Sequence, residues 1–437
     1  MTAQGLTVPL FSDSWQSTFT NPALYGNLRG RLTIGLPGVS NDLVSENLTY
    51  NDLLSVRGDD RTLNLSQIAG LLGERNELRN DLAVETIGVG LRGDRFSIGL
   101  AHRLRANGRL DYPKTLVQVV AEGNARFIGQ TVEIAPLGTV TSYHEIGLGL
   151  SYAITDNIHL GGRIKYLSGI ADMRTVAGGS LGLTTGEDNF ALTLEQDLTL
   201  NSSGTVNYEG IDEVSVNYDL NGLRAGEVFS GNSGLAFDLG VFADLGKFRL
   251  QAAANDLGGT ITWENEVTTL DFQGTDAFSG LDILEQFFED SVSFASALDS
   301  LEVTFAPTES NDPYDAKLAA TYLLGGEYDI TDRLTAGLLV VHYARPEQAE
   351  TAVAVSARYR LLEQLTVGVN YNSRRYATAN FGVHLYGNLG PLQLFVSTDN
   401  IATVFRAKDS TRAAFRVGSA LAIGGVRKAQ KARRKKE

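Results

Sequence analysis

Residues 149–167 read GLSYAITDNIHLGGRIKYL. Leu150, Tyr152, Ile154, Ile158, Leu160, Ile164 and Tyr166 share one face, and Gly149, Ser151, His159, Gly161, Arg163 and Lys165 share the other. A two-residue period on both sides of Thr155-Asp156-Asn157 predicts an antiparallel hairpin with one apolar and one polar face. In a soluble sandwich the apolar face would meet a second sheet. In an outer membrane it would meet lipid, and the glycine-rich polar face would meet a lumen.

Repetition decides between the two. Tight polar or glycine turns recur at Arg92-Gly93-Asp94, Asp244–Lys247, Asp329–Asp332, Leu362-Glu363 and Gly387–Gly390. The connections between them are long early in the chain, at 37–81, 105–139, 168–231 and 264–313, and shorter later. Tight turns at one end and long loops at the other is the periplasmic and extracellular asymmetry of an outer-membrane barrel, which a soluble sandwich has no reason to reproduce. The strands fall at 29–36, 82–91, 95–104, 140–153, 157–168, 232–243, 247–263, 315–328, 332–344, 351–361, 364–372, 378–387, 391–398 and 412–423. The expected fold is therefore all-β: a transmembrane antiparallel outer-membrane β-barrel of about 14 strands. It would occupy 29–423, behind a plug-like periplasmic segment at 1–28 and ahead of a basic periplasmic tail at 424–437.

Composition agrees. The chain has 437 residues, 47 glycines, 9 prolines and no cysteine, which removes disulfide scaffolds, thiolate metal sites and cysteine nucleophiles. Mean hydropathy is −0.07, and no run approaches the roughly 18 apolar residues of a spanning helix. A membrane protein of this composition must cross with strands. The opening Met1-Thr2-Ala3-Gln4-Gly5 looks like the remainder of a small-residue cleavage site, so a signal peptide is expected to have been removed.

Alternation predicts the inward residues Glu145, Arg163, Lys165, Asp238, Arg249, Lys317, Glu327, Arg358, Arg360, Asn370, His384 and Arg416, a lumen lined by both charge signs. Tyr152, Phe248, Tyr328, Tyr359 and Tyr386 suit aromatic girdles. Residues 62–75, 114–122 and 277–300 have helical apolar spacing and predict short helices in the extracellular loops. Leu281, Leu284, Phe287 and Phe288 of the last are candidates for contact with a partner.

No catalytic constellation is visible. The five histidines, His102, His144, His159, His342 and His384, lack metal-ligand spacing, and no glycine-flanked serine resembles a nucleophile elbow. The expectation is a non-enzyme with no cofactor and no metal. GVGLRG at 88–93 mimics a phosphate loop, but its glycines alternate on the lumen face, where small residues relieve crowding. The acidic run 309–315 reads as a solvated turn, lacking the spacing of a calcium loop.

Net charge is −14 and segregated. There is no lysine or arginine in 175–223 or 263–315, while Arg427, Lys428, Lys431, Arg433, Arg434, Lys435 and Lys436 crowd the end. A basic periplasmic tail suits anionic lipid, and acidic outer loops suit lipopolysaccharide bridged by divalent cations. Nucleic acid is not an expected partner in that compartment.

STFTNPALYG at 17–26, with Asn21, Pro22, Ala23 and Leu24, resembles the N-terminal hatch of the long-chain fatty acid transporter superfamily, which includes the type IX secretion shuttle barrels. FSIGLAHRLRANGRLDYPKTL (96–116), SYHEIGLGLSYAITDNIHLGGRIKYLSGIADM (142–173) and DNFALTLEQDLTLNSSG (188–204) are similar to a family of Bacteroidota outer-membrane proteins defined by sequence. The resemblance implies a hatch-plugged barrel acting as a channel or uptake protein for an apolar or amphipathic solute. The competing expectation is a structural or accessory barrel that anchors or binds a partner, such as a surface protein or a type IX secretion-type complex. A lateral gap leading to an apolar channel would favour uptake; a salt-bridged, closed lumen with an exposed apolar loop would favour the scaffold.

Overall fold

A computed structural model describes residues 5–57, 60–63, 65–176, 178–187, 190–204, 206–208, 214–216, 228–278, 307–345 and 348–424. Fourteen antiparallel strands close into one barrel: β1 (Leu32–Ser45), β2 (Arg75–Arg92), β3 (Phe96–Pro113), β4 (Leu137–Ala153), β5 (Ile158–Thr175), β6 (Ser233–Leu245), β7 (Phe248–Trp263), β8 (Tyr314–Lys317 and Ala320–Asp329), β9 (Leu334–Ala344), β10 (Glu350–Leu362), β11 (Leu365–Arg374), β12 (Ala377–Leu389), β13 (Leu392–Thr398) and β14 (Arg412–Ile423). Each pairs with the next, and β14 returns to β1 from Leu32↔Ile423 to Val44↔Arg412. Closure leaves the barrel wall no open edge, so its ladder groups pair within the wall except at a few register breaks. No helix among the described residues is long and apolar enough to cross a membrane.

The strands alternate as expected. Leu100 and Leu148 are paired across β3 and β4 and are 52% and 48% exposed, while Arg103 and Glu145 on the opposite face are 2% exposed. Phe96 and Tyr152 pack at 4.8 Å and Phe248 and Tyr328 at 4.7 Å, both pairs at the tight-turn end, where an aromatic girdle belongs, whereas Tyr386, expected with them, shares the inward parity of His384 and is buried in the lumen 5.0 Å from Phe11. Leu148→Arg would place a guanidinium in the middle of the apolar band; the expected cost is about 2–4 kcal/mol, measured by denaturant titration of the barrel folded into vesicles.

Early strands run longer than expected: β1 reaches Ser45, β2 begins at Arg75, β3 reaches Pro113 and β5 reaches Thr175. Their outer ends carry Arg79, Asp81, Arg109 and Asp172, so the ladder continues after the hydropathy alternation has faded. Helices form at Leu65–Leu71 and Lys114–Glu122, inside two of the three expected stretches. The loops also build a sheet that was not expected, from Thr131–Glu133, Ser180–Thr185, Leu192–Gly204, Thr268–Phe278 and Thr308–Ser310. It extends the barrel wall through the pairing of 200–204 with 171–175. The third expected helix falls almost wholly outside the described residues, as do Leu281, Leu284, Phe287 and Phe288.

Candidate functional site: a hatch seated in a charged lumen

Residues 5–28 fill the lumen as three short 3-10 turns, Val8–Leu10, Gln16–Phe19 and Pro22–Asn27. Such irregular backbone survives at membrane depth only where the surrounding wall satisfies its carbonyls. Polar side chains of the wall do this. Gln251 Nε2 donates to Pro9 O at 2.7 Å, Asn255 Nδ2 to Thr20 O at 2.9 Å, and Ser151 Oγ to Ala23 O at 2.9 Å. Arg163 donates to Thr18 O, and also to the Tyr25 hydroxyl at 3.1 Å.

The Asn-Pro-Ala-Leu motif works as a docking element. Asn21 accepts from Ala23 N at 3.0 Å, capping its own turn, and donates to Val241 O at 3.0 Å. Pro22 and Ala23 press against Gly161, where an added Cβ would lie 2.1 Å from Ala23 N. Leu24 packs on Phe242.

Lumen glycines are seats for the hatch's large side chains. A Cβ on Gly35 or Gly88 would fall 2.2 or 2.1 Å from the Trp15 indole, and on Gly99 or Gly149 2.1 or 2.2 Å from the Tyr25 ring. The phosphate-loop mimic at 88–93 is thereby explained: Gly88 lies under Trp15, and Gly90 under Leu28 and Trp15.

The wall's charges mostly pair with one another. Arg103 and Arg105 of β3 hold Glu145 of β4 at 2.5 and 3.0 Å; Arg163 and Lys165 of β5 hold Asp238 of β6 at 3.1 and 2.6 Å, and Lys165 also reaches Asp256 of β7 at 2.6 Å. Asp256 enters the lumen from an irregularity in the β6–β7 ladder, with φ at 60°. Arg249 pairs with Glu327 and Asp329 near the tight-turn end, and Arg358 joins Glu327. At the other end Glu350 of β10 meets Arg79 of β2 across the barrel at 3.2 Å, together with Arg345, Arg374 and Arg412. Asp399 receives Arg374 and Arg416 and also takes the hatch's Leu6 N and Thr7 Oγ1.

Of the twelve expected lumen residues, ten face inward. Two are corrected. Lys317 is exposed on the outer side, because the break at Leu318-Ala319 in β8 reverses the alternation carried back from Glu327. Arg360 is exposed at the tight-turn rim, at a register shift between Arg360 and Leu362. Sequence reading missed Arg103, Arg105, Asp256 and the cluster around Glu350. Arg103 and Arg105 do alternate with Leu104, a usable signal. His102 Nε2 and His144 Nδ1 come within 3.0 Å, a pairing that their separate strands did not announce, and Thr86 Oγ1 contacts His102 Nδ1 at 2.7 Å. No group of three or more metal-ligating side chains occurs among the described residues.

The hatch contains one charged residue, Asp13. Its burial pushes the carboxyl above the ordinary range, opposed by Arg29 and Arg358. The wall is irregular beside Gln16. There the β1–β2 ladder skips Leu36 and Pro37, β2 shifts register between Glu85 and Ile87, and Gln16 Nε2 donates to Glu85 at 3.2 Å. The cavity at this seam holds about 10 Å³, room for one water, lined by Val8, Gln16, Glu85 and Arg416 among others. An apolar passage is not seen there.

Comparison with known proteins returned a family rather than an activity. The chain matches no curated protein. Among solved structures it is similar to a deletion mutant of the monoaromatic hydrocarbon channel TodX (10% identity, 93% of each chain, TM-score 0.45) and to the toluene transporter TodX of Pseudomonas putida (10%, 93% and 92%, 0.43). A Pseudomonas aeruginosa FadL homologue is similar at 10% identity over 94% of each chain, with a TM-score of 0.41. The profile of a family of unknown function, DUF5723, matches residues 22–399, and the chain belongs to that family.

Proposed function

We propose that the protein is a non-enzymatic outer-membrane conduit whose resting state is closed by residues 5–28. One observation carries this reading: the ion pairs of the lumen run from wall to wall, while the hatch brings only Asp13. Orphaning a buried ion costs about 3–5 kcal/mol, so a plug tied in by ion pairs would be locked in place. This hatch is held by hydrogen bonds and by aromatic rings seated on glycines; Arg163 and Asp399, the wall ions that bond to its backbone and hydroxyls, already have ion-pair partners in the wall, so the hatch can withdraw while the wall stays charge-paired. A wall of paired charges tolerates water, which suits an amphipathic solute better than a wholly apolar one.

The competing reading is a scaffold for a partner protein. The filled, salt-bridged lumen supports it. Under either reading, acidic outer loops would engage lipopolysaccharide through divalent cations, and the tail at 427–436 would engage anionic lipid.

Planar-bilayer recording separates the two. The full chain is expected to be silent and a form lacking residues 1–28 to conduct steadily. Silence from both, with the shortened barrel shown to be folded, would give the lumen to the scaffold.

A further inference from the structure

Arg105 is fully buried, and only one edge of its guanidinium is used: Nη1 donates to Glu145 Oε2 at 3.0 Å. Nε and Nη2, the parallel pair of N–H groups that matches the two oxygens of a carboxylate or phosphate, have no partner among the described residues. The guanidinium lies 5.7 Å from the centre of the Tyr143 ring, and the Tyr143 hydroxyl, also fully buried, has no partner either. Buried donors are normally satisfied, so three in one place call for an explanation. Neighbouring acids do not reach these donors, although Asp256 Oδ2 and Asp81 Oδ1 are themselves buried without a partner among the described residues. Glu145 is held on its other side by Arg103, Asp256 by Lys165, and Asp81 by Arg79 and Arg345 at 3.5 and 3.7 Å.

We propose that the unused edge of Arg105 and the Tyr143 hydroxyl form an oxyanion-binding site of the lumen, taking a carboxylate or a phosphate group of a solute. Phe19 of the hatch lies just below, 4.4 Å from the Arg103 guanidinium, so the site sits between the hatch and the long-loop end of the barrel. A solute reaching it from that end would meet Arg105 before the hatch. This gives the solute of the conduit an anionic group, and rests on that reading only for the route by which the ligand arrives.

The test is equilibrium binding to the full chain in detergent. Protein is incubated with sodium acetate, sodium phosphate or sodium chloride at matched ionic strength, and thermal unfolding is followed against concentration. A saturable rise in Tm with acetate or phosphate and none with chloride is expected; acetate alone would identify a carboxylate ligand and phosphate alone a phosphoryl ligand. Tyr143→Phe, which keeps the ring, is expected to weaken binding about fivefold, and Arg105→Gln about tenfold or more. Glu145 keeps Arg103 in the second variant, and if that variant fails to fold, Tyr143→Phe carries the test. An equal, unsaturable shift in all three salts would overturn the site, as would saturable binding that both variants leave unchanged. Because binding is read without passage, a silent barrel that binds would sink the conduit alone, and a conducting barrel that does not bind would sink the site alone.

Discussion

Gly88→Leu is expected to expel the hatch from a barrel that otherwise stays folded. The first added atom would fall 2.1 Å from Trp15 Cζ2, and no rotation of the indole relieves it, since Gly35 and Gly90 seat the same ring and Phe19 packs edge-on at 5.7 Å. Trp15 is 1% exposed, and losing a buried tryptophan from its packing costs about 3–5 kcal/mol. That shifts the seated-to-displaced ratio by about a hundredfold or more. The ladder through Gly88 is made by backbone groups, which leucine retains. The chain has no cysteine, so a single one at Ser14, 1% exposed in the seated hatch, reports displacement by its rate of maleimide labelling. Labelling is expected to accelerate at least tenfold in Gly88→Leu and to stay slow in Gly162→Leu, whose nearest neighbour is 3.9 Å from an added Cβ. Equal rates in the two variants would mean that glycine seats do not hold the hatch.

Why the wall was legible and its contents were not follows from what each depends on. Lipid on one side and a lumen on the other impose a two-residue period that every spanning strand repeats. Leu100 and Leu148 were therefore readable as outward, and Arg163, Lys165 and Asp238 as inward, from single strands. Parity fails where the ladder is broken: at Leu318-Ala319, which misplaced Lys317, and at Asp256, whose left-handed backbone turns its carboxylate toward Lys165. The hatch was legible as a motif, but its seats were not, because Trp15 meets Gly35 and Gly88 across large separations in sequence. Glycine alternation at 88–93 pointed to a crowded lumen face and left open what crowds it. The acids and arginines at the outer strand ends were read as loop because their hydropathy no longer alternates, although their backbone pairing continues. The loop sheet was missed for a related reason: its Leu192–Gly204 strand alternates threonine and acid with leucine over a short span, inside a stretch free of lysine and arginine.

Glu350→Gln is expected to cause the largest loss of stability of any single change in the lumen. One carboxylate, 3% exposed, serves four guanidiniums: Arg345 at 2.9 Å, Arg79 at 3.2 Å, Arg412 at 3.5 Å and Arg374 at 3.6 Å. Glutamine keeps the shape and removes the charge, so the four arginines, each largely buried, lose their common counter-ion. Asp42, Asp81 and Asp399 remain as partial partners, through Arg412, Arg345 and Arg374, which keeps the expected loss at about 3–5 kcal/mol rather than more. Arg79 comes from β2 and Glu350 from β10, on opposite sides of the barrel, so the bond ties together walls that the ladder joins only the long way round. Loss of the tie should therefore lower the midpoint of denaturant unfolding and also loosen the long-loop end before the rest. Hydrogen exchange at the outer ends of β1, β2 and β10 would read this directly. The contrasting change is Glu122→Gln, which breaks the exposed pair with Arg126 four residues on, just past the end of the helix. Such pairs contribute about 0.2–0.5 kcal/mol, so its midpoint should not move measurably. Similar small shifts in both variants would show that water or a rearranged aspartate already solvates the Glu350 cluster, and that the outer end of the lumen is open rather than tied.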